Sequence, residues 1–278
     1  MFRYGVAVWL FLGMAPYLLA DLEHNVNQIV GDRAIGMAGA YTAVSDDPSG
    51  MYYNPAGIAY ASSANISANV NTLQRNSTSY ERALADKVDF VRDSFQVLPN
   101  FFGVIQPLGN YTVGFSSTIV DAINEKQSQT FVDLPTIGVE KFVININNVG
   151  TVYNIGPSIA GFIGSNLAIG LGLNLHYRTM EVISTQHTKF LPTNIRDTLS
   201  TNTYNETSEL GVKPKLGLLW SPMESFSFGL SADKTFVTSG KVVVQQAYCD
   251  TNSTAIGCAV QINPDITEIT VNRDYPWQ

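Results

Sequence analysis

Residues 142–177 contain no Asp, Glu, Lys or Arg, yet they do not form one continuous apolar span. Gly156-Pro157 and Gly164-Ser165-Asn166 interrupt them, and after the second break two kinds of residue alternate. Leu167, Ile169, Leu171, Leu173, Leu175 and Tyr177 fall on one face, and Ala168, Gly170, Gly172, Asn174, His176 and Arg178 on the other. A period of two is the signature of a strand, and the interrupting turns exclude a transmembrane helix. A soluble half-buried strand generally exposes Lys and Glu on its second face. Here that face is small or polar, in keeping with a chain only 14% charged where soluble domains run at about 25%.

The pattern recurs. Tyr111, Val113 and Phe115 alternate with Thr112, Gly114 and Ser116, and Phe226, Phe228 and Leu230 with Ser227, Gly229 and Ser231. Each repeat belongs to a strand–turn–strand unit, turning at Leu108-Gly109-Asn110, Gly164-Ser165-Asn166 and Pro222-Met223-Glu224-Ser225. The connections 121–150 and 179–207 read as long loops, with a further polar stretch at 249–264. Short turns alternating with long loops, and apolar residues alternating with polar ones, predict an all-β chain folded as an antiparallel transmembrane β-barrel. A two-layer soluble sandwich is the rival. Tyr111, Tyr177, Trp220 and Phe226, near strand ends, suit interfacial girdles. Strands are expected near 65–74, 96–107, 110–120, 151–163, 166–187, 208–221, 225–248 and 265–274.

The start, Met1-Phe2-Arg3-Tyr4 followed by an apolar run to Leu19 and then Ala20, reads as a secretory signal peptide over 1–20, with an uncleaved anchor helix as the alternative. Export implies an oxidising compartment, in which the neighbouring Cys249 and Cys258 are expected to join as a disulfide. The net charge of −7 argues against a nucleic-acid partner. His24, His176 and His187 are scattered, so neither a metal site nor a cofactor is expected.

Between Gly31 and Tyr60 the chain changes character and becomes dense in Gly and Ala: GDRAIGMAGAYTAVSDDPSGMYYNPAGIAY. Ala34 to Val44 reads as a short small-residue helix stopped by Ser45-Asp46-Asp47-Pro48, and Asn54-Pro55-Ala56-Gly57 as a turn leading into the first strand. The run G-x-R-A-x-G-M-A-G-A, the D-D-P step and Y-Y-N-P-A-G resemble the start of the outer-membrane long-chain fatty acid transporter family (FadL/TodX-like). The resemblance implies a hatch or plug over 21–62, including Gly36, Gly39, Asp46, Asp47, Asn54, Pro55 and Ala56. The barrel then occupies 63–278. That family uses fourteen strands, so a chain with about eight is expected to be truncated at its C-terminus, because an eight-stranded barrel has no room for a hatch.

The same resemblance implies a bacterial outer-membrane channel, in contact with outer-membrane lipid, that takes up long-chain fatty acids or other hydrophobic molecules. The apolar part of 121–150 either folds over itself or captures ligand through Phe131, Leu134, Phe142 and Ile144. Lys141 is the nearest cation for a carboxylate. Arg178, Lys213 and Lys215, on the non-lipid faces, would form an inner anchor or else pair with acids such as Asp233. A barrel that docks or assembles components for protein secretion is the alternative. No enzyme is expected, because His176 shares its face with Gly170, Gly172 and Asn174 rather than with an oriented serine.

Overall fold

The computed structural model describes residues 29–84, 88–194, 196–223, 225–252, 259–261 and 267–270, together with Tyr275 and Trp277. The region assigned to the signal peptide lies outside these residues. Two short helices, α1 (Asp32–Gly36) and α2 (Gly50–Tyr53), and a 3-10 helix (Pro55–Tyr60) come first. The long strands β1 (Asn65–Leu84), β2 (Val88–Leu108), β3 (Tyr111–Leu134), β4 (Val139–Ile163), β5 (Leu167–Phe190) and β6 (Arg196–Met223) follow. After them come β7 (Phe226–Asp233), β8 (Phe236–Asn252), β9 (Ala259–Gln261) and β10 (Thr267–Thr270).

All pairings are antiparallel and join one sheet in the order β1-β2-β3-β4-β5-β6-β8-β10. β7 and β8 both pair with β6, on successive stretches of it, so they act as one strand interrupted at Lys234-Thr235. Among the described residues β1 and β10 are not paired with each other, and the sheet is open. No described helix is long and apolar enough to cross a membrane.

Two expectations are corrected. Residues 121–150 and 179–207 are mostly strand, not loop: β3 and β4 run on to a tight 3-10 turn at Pro135–Ile137, and β5 runs on to a turn at 191–194 before β6. Thr, Val, Ile and Phe throughout these stretches suit a pleated surface whatever the polarity of their neighbours. At about 3.3 Å per residue, β3 approaches 80 Å in length. Likewise, the helix expected over Ala34–Val44 is only Asp32–Gly36, because Ala38 and Gly39 take positive φ (51° and 85°) and end it.

The alternation holds, with its polarity reversed from that of a water-soluble sheet. Ile169, Leu171, Leu173, Leu175 and Tyr177 are exposed, while Ala168, Gly170, Gly172, Asn174 and His176 are buried. The register extends this apolar face across β4 (Ile155, Ile159) and β6 (Val212, Leu216, Leu218, Trp220), and β7 adds Phe226, Phe228 and Leu230. It stops at one level. The row Tyr153–Tyr177–Leu210 is its margin, with the two tyrosine rings stacked at 6.4 Å. The next row on that face is Thr151–Thr179–Ser208–Lys241. Beyond it, this side of the strands is mainly polar.

Candidate functional site

Against the opposite, polar face lies the segment 29–61. Asp32 accepts a hydrogen bond from Asn69 of β1, and Ile29 O accepts one from Asn100 of β2 at 3.0 Å. Asn54 reaches β6, and Tyr60 donates to Asn166 O, between β4 and β5, at 3.4 Å. Thr42 O lies where a Cβ on Gly229 of β7 would have to sit. One short segment thus touches β1 at one end of the sheet and β7 near the other, so the sheet curls around it. Met51, Ile58, Ile105 and Ala160 form one apolar contact beneath it, and Ala56, Ala168 and Leu219 a second.

The fit depends on missing side chains. A Cβ at Gly170 would collide with the backbone of Pro55 and Ala56, and one at Gly217 with Asn54 Oδ1. Gly170 and Gly217 are register partners, so together they clear a shallow seat for the Asn54-Pro55-Ala56 turn. Asn54 is fully buried there. Its Nδ2 donates to Thr42 O and to Leu218 O, both at 2.9 Å, and its Oδ1 accepts from Ala56 N at 3.1 Å. The other residues of the expected hatch behave differently. Asp46 pairs with Arg33, and Asp47 accepts from Ser49 N at 2.8 Å and Ser49 Oγ at 2.5 Å, so both carboxylates serve the segment's own folding. Gly36 faces open space and Gly39 serves a left-handed turn, so neither packs against the sheet.

Lys213 and Lys215 project from β6 onto the polar face and share one carboxylate. Their Nζ atoms lie 2.8 Å from Asp233 Oδ1 and Oδ2 respectively. Lys215 also donates to Tyr52 O and sits 5.2 Å from the Tyr52 ring centroid, tying α2 to the sheet. Both lysines are engaged with an acid of the chain, the alternative to an open anchor for a ligand. A cavity of about 10 Å³ beside them, lined in part by Met51, Ser116, Thr118, Asn154 and Asn174, holds one water at most.

Further along the same face His176 Nδ1 lies 2.9 Å from Asn154 Oδ1, and Arg178 donates to the hydroxyl of Tyr275 at 3.2 Å. Tyr275 donates in turn to Glu209 at 2.8 Å. Neither Glu209 nor Tyr275 is anticipated as a site residue from the sequence. Glu209 was within reach, because it has the strand parity of Lys213 and Lys215; Tyr275 gives no such signal. A larger cavity, about 390 Å³, opens at the short-turn end between Ala59, Ala61, Pro107, Asn110, Thr112 and Phe162.

At the far end of the strands the expected capture residues do meet. Phe131 and Leu134 are buried with Val139, and Phe142, Ile144, Phe90 and Phe190 pack around them; Phe131 and Phe142 stack at 6.1 Å. They form a small closed core. Lys141 is exposed and, one position from Phe142 on a strand, points to the opposite face, so it is no counter-ion for this cluster. Below the cluster Arg92 grips the buried Glu125 with two hydrogen bonds, Nε to Oε1 at 2.8 Å and Nη2 to Oε2 at 2.6 Å. That guanidinium holds the Glu125 carboxyl below its ordinary range, against the opposing cost of burial. Cys249 lies in β8 opposite Ser200, and no described cysteine is free. Its expected partner, Cys258, lies outside the described residues.

Fold and site together define an antiparallel β-sheet with an exposed apolar face and a buried polar face covered by an N-terminal segment. Compared with family models, with curated proteins and with solved structures, the chain has no match.

Proposed function

We propose that this chain is a bacterial outer-membrane β-barrel through which hydrophobic small molecules, long-chain fatty acids foremost, are taken up. In this reading residues 21–62 are its hatch and the apolar face meets outer-membrane lipid. One observation carries the reading: the sheet is inside out for water. Leu171 and Leu173 are 53% and 55% exposed, whereas Glu209 on the other face is 1% exposed. An apolar face of this extent in water marks an interaction surface, and its sharp lower-polarity margin suits a bilayer. In β5 the band runs from Leu167 to Tyr177, which matches the roughly 9–11 residues of a tilted spanning strand. The cluster around Phe131 is the entry point for ligand, and opening it exposes an apolar site.

The ion pairs that fill the polar face near Lys215, and the closed state of the Phe131 cluster, favour a second reading, a barrel that docks components for protein secretion. Binding of a fluorescent long-chain fatty acid to the detergent-folded protein separates the two. Uptake predicts binding that weakens in Phe131→Asp and Phe142→Asp variants retaining a heat-dependent shift in gel mobility. Folded protein without binding, recovered instead with reproducible partner proteins, supports docking.

A further inference from the structure

Tyr275 is the residue of the polar face that strand order does not bring there. It is 7% exposed and sits against three side chains from two neighbouring strands. Its hydroxyl donates to Glu209 Oε2 at 2.8 Å and accepts from Arg178 Nη1 at 3.2 Å. Its ring meets His176 edge to face, with centroids 5.7 Å apart and planes at 66°. His176 and Arg178 are two apart on β5, hence on one face, and Glu209 is the register partner of Arg178 on β6. The ladder between β5 and β6 therefore brings all three to one face independently of Tyr275.

The geometry points to a binding site for a neutral phenolic ring, which the chain fills with its own Tyr275. A phenol both donates and accepts one hydrogen bond, which is what the Glu209–Arg178 pair requires. A carboxylate has no proton to give Glu209, and a plain aromatic hydrocarbon can form neither of the two hydrogen bonds that the Tyr275 hydroxyl makes. The tethered ring acts at an effective concentration on the order of millimolar, so a free phenol competes poorly until the tether is removed.

The test is independent of transport. A Tyr275→Ala variant, shown to be folded by its unheated gel mobility, is titrated with p-cresol and with toluene. We expect p-cresol to bind at least tenfold more tightly than toluene and than it binds the unaltered protein, with the preference reduced severalfold in Tyr275→Ala/Glu209→Gln. Equal binding of the two, or none, overturns the inference and leaves the uptake reading untouched. Should Tyr275→Ala not fold, 3-fluorotyrosine at position 275 of the otherwise unaltered protein supplies the readout. Excess p-cresol should then move its fluorine resonance and toluene should not; no p-cresol-specific change overturns the inference equally.

Discussion

Asn54 satisfies three backbone groups with one side chain, two carbonyls and one N–H, at a point where the N-terminal segment and β6 approach too closely for water. Removing its amide strands Thr42 O and Leu218 O in a buried site, which costs about 1–3 kcal/mol. Asn54→Ala should therefore loosen the segment while leaving the strands paired, seen as faster limited proteolysis within 29–61 with an unchanged β spectrum. Gly217→Ala should act in the same direction, because its new methyl meets Asn54 rather than solvent. Gly36→Ala should be neutral, since nothing lies within 4 Å of the added carbon. The motif was legible in the sequence as a turn, but its partners were not. Local chemistry identifies Asn-Pro as a turn former, whereas the seat at Gly170 and Gly217 exists only once two strands distant in sequence lie side by side.

The phase of an element can change within it, and β3 is the clearest case. Counting by twos from Tyr111, on the apolar face, puts Phe131 on that face as well. The register shifts between Ile119 and Asp121, where Val120 is the extra residue. Every later side chain is thereby turned over, so Glu125, Gln127, Gln129 and Phe131 face the interior with Thr112 and Ser116. No residue type announces such a bulge. The sequence also left the strand extensions reading as loops, since apolar–polar alternation fades where neither face is uniformly apolar. What replaces it is specific pairing, and Arg92–Glu125 joins β2 to β3 in this region. Glu125 is 3% exposed at its side chain but Arg92 is 42% exposed, so solvent reduces the pair to about 1 kcal/mol. Because the folded carboxyl is held below its ordinary value of 4.5, the pair's contribution is complete above that value and is lost as the pH falls through the lowered one. Hydrogen exchange in the β2–β3 extension should accelerate beyond the intrinsic trend as the pH falls below the ordinary carboxyl value of 4.5. Glu125→Gln should remove most of that acid-induced change.

Across the whole molecule the apolar face is ordered by height rather than by strand. Three strands, β4, β5 and β6, reach the same margin at Tyr153, Tyr177 and Leu210, although their sequences share no motif there, which is what a planar boundary between two solvents imposes on a sheet. This much was legible: the alternation of 111–116, 167–177 and 226–231 identifies an apolar face and a polar face without knowledge of strand order. The identity of each row, and the margin itself, needed the register. A decisive comparison uses two positions on the same strand and face. Leu173 lies mid-band, and Thr179 one row past the Tyr153–Tyr177 margin. If lipid covers the band, Leu173→Arg places a charge near the bilayer centre and costs about 2–4 kcal/mol, while Thr179→Arg, near the interface, costs about 0–1 kcal/mol. Urea titrations of the protein folded into phospholipid vesicles should give this asymmetry. Water in contact with both positions would make the two substitutions nearly equal, because an exposed arginine pays no desolvation at either height. Equal costs would therefore remove the membrane reading, and with it the uptake function, whatever the strand content.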